Sequence, residues 1–140
     1  MKKITVSKAK KKTWTFFSIF IRTRDCIDTT GCPSFGLCIT CGRRYHFKLL
    51  QAGHFLPGRH NANLFYEKGC HAQCYNCNIN LKGNTMAYVD ALHSKYGQGI
   101  VKELRENDRR IKKFTVLELQ EMEKDFKNRT KKFVEKNNGS

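Results

Sequence analysis

Apolar positions follow a helical rhythm near both ends of the chain and lose it in the middle. Trp14, Phe17 and Ile21, flanked by Phe16 and Phe20, form adjacent stripes at helical spacing. The spacing predicts a short amphipathic helix from Trp14 to about Asp25, ended by Arg22 and Arg24, with its aromatics turned into a core. Asn84 and Thr85 can cap a helix running to about Tyr96. Ala87, Tyr88, Leu92 and Tyr96 share one face of it, and Gly97 supplies the stop. Ile100, Val101 and Leu104 predict a short helix ending near Asn107. Thr115-Val116-Leu117-Glu118 is a capping box that opens a long helix to about Lys136. Its stripe of Leu119, Met122, Phe126 and Phe133 lies near heptad spacing, which suits either packing onto the rest of the chain or a homodimer seam.

Residues 26–84 hold all seven cysteines, four of the five histidines, both prolines and seven of the ten glycines. Such a segment predicts short strands, turns and metal knuckles rather than a large apolar core. The expected class is α+β, a small metal-stapled centre flanked by helices. Three regions follow: a basic arm over 1–13, a central domain over 14–107 and a C-terminal helix over 108–140.

Charge narrows the partners. The 140 residues carry 27 Lys+Arg against 12 Asp+Glu, a formal net charge of +15. That excess points to a polyanion, either nucleic acid or an anionic membrane. The longest apolar run, Phe16 to Ile21, falls far short of the roughly 20 residues a spanning helix needs. The lysine-rich start leads into no apolar signal segment. Six lysines and no acid occupy residues 1–13, which reads as a solvated, frayed terminus or a phosphate-binding arm.

Without export, seven cysteines favour metal ligation over disulfides. Cys38-Ile39-Thr40-Cys41 and Cys74-Tyr75-Asn76-Cys77 are two C-x2-C pairs separated by 32 residues. Each pair forms a knuckle with two thiolates on one side of a tight turn, and two knuckles complete a tetrahedral zinc site. Four protein ligands close that site, so the zinc is structural. Cys26, Cys32 and Cys70 lack partners at knuckle spacing and read as small buried residues.

Between the knuckles lies Gln51-Ala52-Gly53-His54-Phe55-Leu56-Pro57-Gly58-Arg59-His60-Asn61, and Asn78 follows the last cysteine. A knuckle, a strand ending in Gly-His, then a second knuckle followed at once by Asn resembles the zinc-stapled HNH nucleases with a ββα-metal core. The resemblance implies that His54 is the general base and that Asn78 holds a catalytic Mg²⁺ or Mn²⁺. A histidine takes a proton near neutral pH, and a hard cation accepts an amide oxygen.

The run Cys38-x2-Cys41-Gly42-Arg43, Gln51 to Phe55, Arg59-His60-Asn61, Leu64-Phe65, His71-Ala72-Gln73-Cys74-x2-Cys77-Asn78 and Gly83-Asn84 is similar to the phage NinG/Rap recombination family. Ile21-Arg22, Arg24-Asp25, Tyr88 and Tyr96-Gly97 fit it too. That likeness implies a structure-selective endonuclease acting on branched DNA such as Holliday junctions, in the cytoplasm of a phage host. It also implies a homodimer, since symmetric cutting of two strands needs two active sites.

Two positions depart from the HNH pattern. Gly53 stands where an Asp often supplies a second cation ligand, so either the ion is held by Asn78, water and the DNA phosphate, or His60 first, then Asn61 and Gln51, are the candidates for that role. Gly69 stands where an Asn is expected to orient the loop of the base. The lysine arm, Arg43, Arg44, Lys48, Arg59, Lys82 and Arg109 to Lys113 are the expected phosphate contacts, which position DNA without reading bases. Two other readings suit the same residues. One is a non-catalytic zinc-ribbon protein that binds branched nucleic acid. The other is a sequence-specific HNH endonuclease.

Overall fold

The computed structural model describes residues 3–137. Met1, Lys2 and residues 138–140, the ends of the expected arm and C-terminal segment, lie outside them.

The first helix, α1, runs Val6–Thr30, longer at both ends than the apolar stripes predict. Thr5 caps it, its hydroxyl accepting the Lys8 N–H at 3.2 Å. The buried face begins before Trp14: Ala9 and Thr13 continue the line of Phe17 and Phe20. The residues expected as a frayed arm are therefore helical from Val6, because lysine is a good helix former once one face is covered. Arg22 and Arg24 do not end the helix. Gly31 does, in the left-handed region at φ 77°, with its N–H on the Ile27 carbonyl at 2.8 Å. Arg24 turns inward instead and donates to the carbonyls of Glu67 and Cys70, each at 2.9 Å.

Two antiparallel strand pairs follow. β1 (Phe35–Leu37) pairs with β2 (Arg44–His46), and β3 (Leu50–His54) pairs with β4 (Cys70–Cys74) in the register Gln51 to Gln73 and Gly53 to His71. The loop joining β3 to β4 contains a single helical turn, α2 (Asn61–Leu64). β4 is buried along its whole length, and its Ala72 N–H donates to the buried Asp25 carboxylate of α1 at 2.7 Å. After β4 comes a π-helical turn at Asn76–Asn80, then α3 (Thr85–Tyr96) and α4 (Ile100–Asp108). Gly97 ends α3 as expected, but Asn84 makes no side-chain cap. The two strand pairs pack against α1.

The final helix, α5 (Val116–Asn137), starts as the capping box predicts, with the Glu118 N–H on the Thr115 hydroxyl at 3.1 Å. Its apolar stripe packs against α1. Phe126 lies 5.0 Å from Phe17 and 5.4 Å from Phe20 between ring centroids, and Phe133 stacks on Phe20 at 5.6 Å. The stripe thus packs onto the rest of the chain, the first of the two readings its spacing suits. A second cluster, Phe55, Tyr88, Leu92, Ile100 and Leu104, joins α3 and α4 to the end of β3. Among the described residues no helix is long and apolar enough to cross a membrane.

Candidate functional site

The knuckle cysteines meet where the two strand pairs come together. Cys38 follows β1, and Gly42 at φ 73° lets the chain reverse behind Cys41, its N–H bonding to the Cys38 carbonyl at 2.9 Å. Cys74 ends β4, and Cys77 lies in the π-helical turn. The four sulfurs all lie within 4.8 Å of one another, with Cys41 Sγ 3.9 Å from Cys74 Sγ. Sulfurs about 2.3 Å from a zinc ion at tetrahedral corners stand about 3.8 Å apart, so donor type and spacing both fit zinc.

Local donors favour the thiolate at Cys38, while burial and the neighbouring thiols hold Cys41 and Cys77 up. The Cys77 N–H points at Cys74 Sγ from 3.5 Å, and Asn84 Nδ2 at Cys77 Sγ from 3.6 Å. Burial pushes the Cys38 thiol up, but the N–H groups of Cys41, Cys74 and Thr40 and the Thr40 hydroxyl outweigh it and pull it down to about 6. Zinc held by these four cysteines has no open position, which is the structural type. Cys26 and Cys70 are buried elsewhere in the core and Cys32 is half-buried. Burial pushes the Cys26 thiol up to about 11, so it stays neutral.

His54 ends β3. Its Nε2 lies 3.0 Å from the Leu64 carbonyl oxygen. A carbonyl only accepts, so the proton sits on Nε2 and Nδ1 is left as the basic nitrogen. The imidazole stacks on Trp14 at 5.1 Å between centroids, and the Arg59 guanidinium lies over that indole at 4.3 Å. Burial lowers the His54 pKa; the Leu64 bond works against this and the Arg59 charge adds to it, for a net value below the ordinary histidine value. The ring is therefore neutral at pH 7.

Asn78, in the π-helical turn, donates from Nδ2 to Gln51 Oε1 at 2.8 Å. His54, Asn78, Trp14, Arg59 and Lys82 line one cavity of about 390 Å³. A larger cavity of about 620 Å³ is lined by Lys10, Lys11, Trp14 and Arg59. Two of the expected phosphate contacts, Arg59 and Lys82, thus border the His54 cavity. Arg43, Arg44 and Lys48 are exposed around β2, with Arg44 resting over the Phe35 ring at 4.4 Å.

Of the other expected cation ligands, Gln51 reaches Asn78, but His60 and Asn61 are not brought there. His60 Nδ1 bonds to Asp108 Oδ2 at 3.0 Å, and His60 is absent from the lining of the His54 cavity. Asn61 is engaged at both ends, Oδ1 accepting from Lys10 Nζ at 2.8 Å and Nδ2 donating to the Lys112 carbonyl at 3.0 Å. By this point the chain has turned into α2 and docks against α4. Sequence proximity to His54 does not become spatial proximity to Asn78.

A family model described as the bacteriophage lambda NinG protein matches residues 2–136. The chain belongs to the NinG family. No curated protein and no solved structure matches it.

Three residues of this NinG-family chain shape the site although the sequence pattern assigns none of them a role there. Asn63 is buried and ties the β3–β4 loop to α4: Nδ2 donates to the Leu104 carbonyl at 3.0 Å, and Oδ1 accepts from Asn107 Nδ2 at 2.6 Å. It thereby fixes the turn whose Leu64 carbonyl orients His54. Trp14 was read as core, but it is only half-buried and forms the wall of the cavity. Its signal was a lone tryptophan set in a lysine-rich stretch. Gln73 is fully buried between the knuckle and the hairpin, and a polar residue directly before a ligand cysteine was its one mark.

Proposed function

We propose that this NinG-family protein is a divalent-cation-dependent endonuclease of the HNH type acting on branched DNA. The observation that carries the reading is the His54 imidazole, protonated on Nε2 by its bond to Leu64, neutral through burial, and sharing a cavity with Asn78, Arg59 and Lys82.

In this reading a water molecule attacks the phosphorus of a phosphodiester. Its proton passes to His54 Nδ1 as the new P–O bond forms, and the P–O bond to the 3′ oxygen breaks, that oxygen taking a proton from solvent. The products are a 5′ phosphate and a 3′ hydroxyl. Asn78 would hold Mg²⁺ or Mn²⁺ through Oδ1, and the ion would supply charge neutralisation at the phosphate and the leaving oxygen. Trp14 keeps the imidazole from rotating away, and Arg59 and Lys82 draw the backbone in as phosphate contacts. Zinc at the four cysteines ties the end of β4 and the turn bearing Asn78 to the β1–β2 pair.

The test is incubation of the zinc-loaded full chain and Mg²⁺ with a four-way junction and a matched linear duplex. Junction cleavage that is lost in His54→Ala supports the reading. Tight junction binding with no nicking in any divalent metal supports a non-catalytic binding protein instead. Equal cleavage of both substrates with a consensus at the nicks supports a sequence-specific nuclease.

A further inference from the structure

We propose that Gln73 supplies, through Oε1, the second cation-binding oxygen that Gly53 lacks a side chain to give, beside Oδ1 of Asn78. This rests on the cation-dependent reading above and assigns the cation a ligand from β4 rather than from β3.

Gln73 is 0% exposed. Its Nε2 donates to the Gly83 carbonyl at 3.0 Å and to the Thr40 hydroxyl at 3.2 Å. The Gly83 oxygen accepts only, so the amide cannot be turned round and Oε1 must face the other way. That oxygen is the buried side-chain polar atom without a hydrogen-bond partner among the described residues. Buried polar atoms are nearly always partnered, so an orphan acceptor on the same side as Asn78 Oδ1 points to a partner of another kind.

The position it faces is specific. A Cβ built on Gly53 would lie 2.0 Å from Gln73 Oε1 and 3.1 Å from Asn78 Oδ1. Two observations follow from that one geometry. With Gln73 in this orientation position 53 needs glycine, since a Cβ there would collide with the Gln73 oxygen. Two amide oxygens also converge on the small volume that a side chain at 53 would otherwise fill. The Asn78 amide is oriented for this, because its Nδ2 is engaged by Gln51 Oε1 at 2.8 Å. Carbonyl oxygens of Asn and Gln are accepted ligands of hard divalent cations. An oxygen from position 73 on β4 then stands in for the side chain that position 53 on β3 lacks.

Two neutral oxygens in a chain of net charge +15 bring no charge to offset that of the cation. Binding should therefore be weak alone and strengthened by a DNA phosphate at the same ion. A purely structural Gln73, packing against the Gly53 Cα, would leave cation affinity untouched.

The experiment titrates Mn²⁺, followed by electron paramagnetic resonance, into the zinc-loaded full chain with a four-way junction present. All proteins carry His54→Ala so that the DNA stays intact. Gln73→Met keeps the side-chain length and removes the oxygen, and Gly53→Asp with Gln73→Ala returns a carboxylate from β3. The expected result is a fall in Mn²⁺ affinity of about tenfold or more in Gln73→Met. The double variant should bind at least as tightly as the His54→Ala parent. Equal affinity of Gln73→Met and the parent overturns the proposal and leaves cation-dependent cleavage standing. No Mn²⁺ binding by the parent overturns both. If Gln73→Met loses its zinc, the double variant decides, with binding weaker than the parent overturning the proposal.

Discussion

His54 and Leu64 are joined by a hydrogen bond of 3.0 Å from ring nitrogen to backbone carbonyl, across the loop between β3 and β4. This contact decides which imidazole nitrogen is free. It depends in turn on Asn63, the residue before Leu64, which is pinned to α4. We expect Asn63→Ala to lower junction cleavage by roughly 10²-fold, as a misaimed base does. It should also destabilise the fold by about 1–3 kcal/mol through the partners left unpaired. Cleavage rates and urea midpoints check both. Full activity in a folded Asn63→Ala would break the link from loop to base.

Zinc removal should act on the whole middle of the chain. Each protein should bind one zinc ion, and a chelator strong enough to strip it should abolish the cooperative melt of residues 32–84, because metal binding supplies much of the folding energy of so small a core. Metal analysis of Cys74→Ser should show the same loss. Unchanged zinc content and melting temperature in that variant would contradict a four-cysteine site.

The α1–α5 contact predicts where a large-to-small change in the heptad-like stripe is felt. Phe126 is 4% exposed and meets Phe17, Phe20 and Phe65. Phe126→Ala should cost about 3–5 kcal/mol of stability. Its melting temperature should be independent of protein concentration to the same degree as the parent's. A loss of stability that vanishes at high protein concentration would instead place the stripe in a seam between copies.

Arg59 and Lys82 border the same cavity, and each is expected to neutralise one phosphate. Replacing either with Ala should weaken junction binding and reduce the slope of log affinity against log salt by about 1. An unchanged slope would remove that residue from the DNA path. Arg59→Ala should also free the Trp14 ring and lower cleavage more than binding.

Acid should destabilise the fold through His71. Desolvation holds its pKa down to about 2 from an ordinary 6.5, with Arg24 and Lys95 contributing, while Tyr96 and Tyr88 hydroxyls contact its two nitrogens. The unfolded chain takes up this proton and the folded chain refuses it. The stabilisation from a neutral His71 is thus complete above pH 6.5 and is lost as pH falls below it, at about 1.4 kcal/mol per pH unit. In His71→Phe the slope of stability against pH between 6.5 and 5 should be shallower by about that amount. Equal slopes would show that His71 is protonated in the fold.

Much of the framework was legible in the residues themselves. The two C-x2-C pairs state their own ligand geometry, because a knuckle is a local turn. Gly97 and the Thr115 box mark helix ends, since caps are made by residues three or four apart. His54 and Asn78 could be singled out from the order of the motif. What the chain order could not show is how separate segments meet. The left end of α1 was missed because Lys10, Lys11 and Lys12 look solvated until α5 covers the opposite face. Closeness to His54 in sequence favours His60 as a ligand, yet at the head of α2 it is held by Asp108 instead. Cross-strand register brings Gln73 against the space at Gly53, and loop docking sets Asn63 behind Leu64. These relationships link residues 20 or more positions apart, or on opposite sides of a turn. Local propensity acts over three or four residues, so only tertiary packing could decide them.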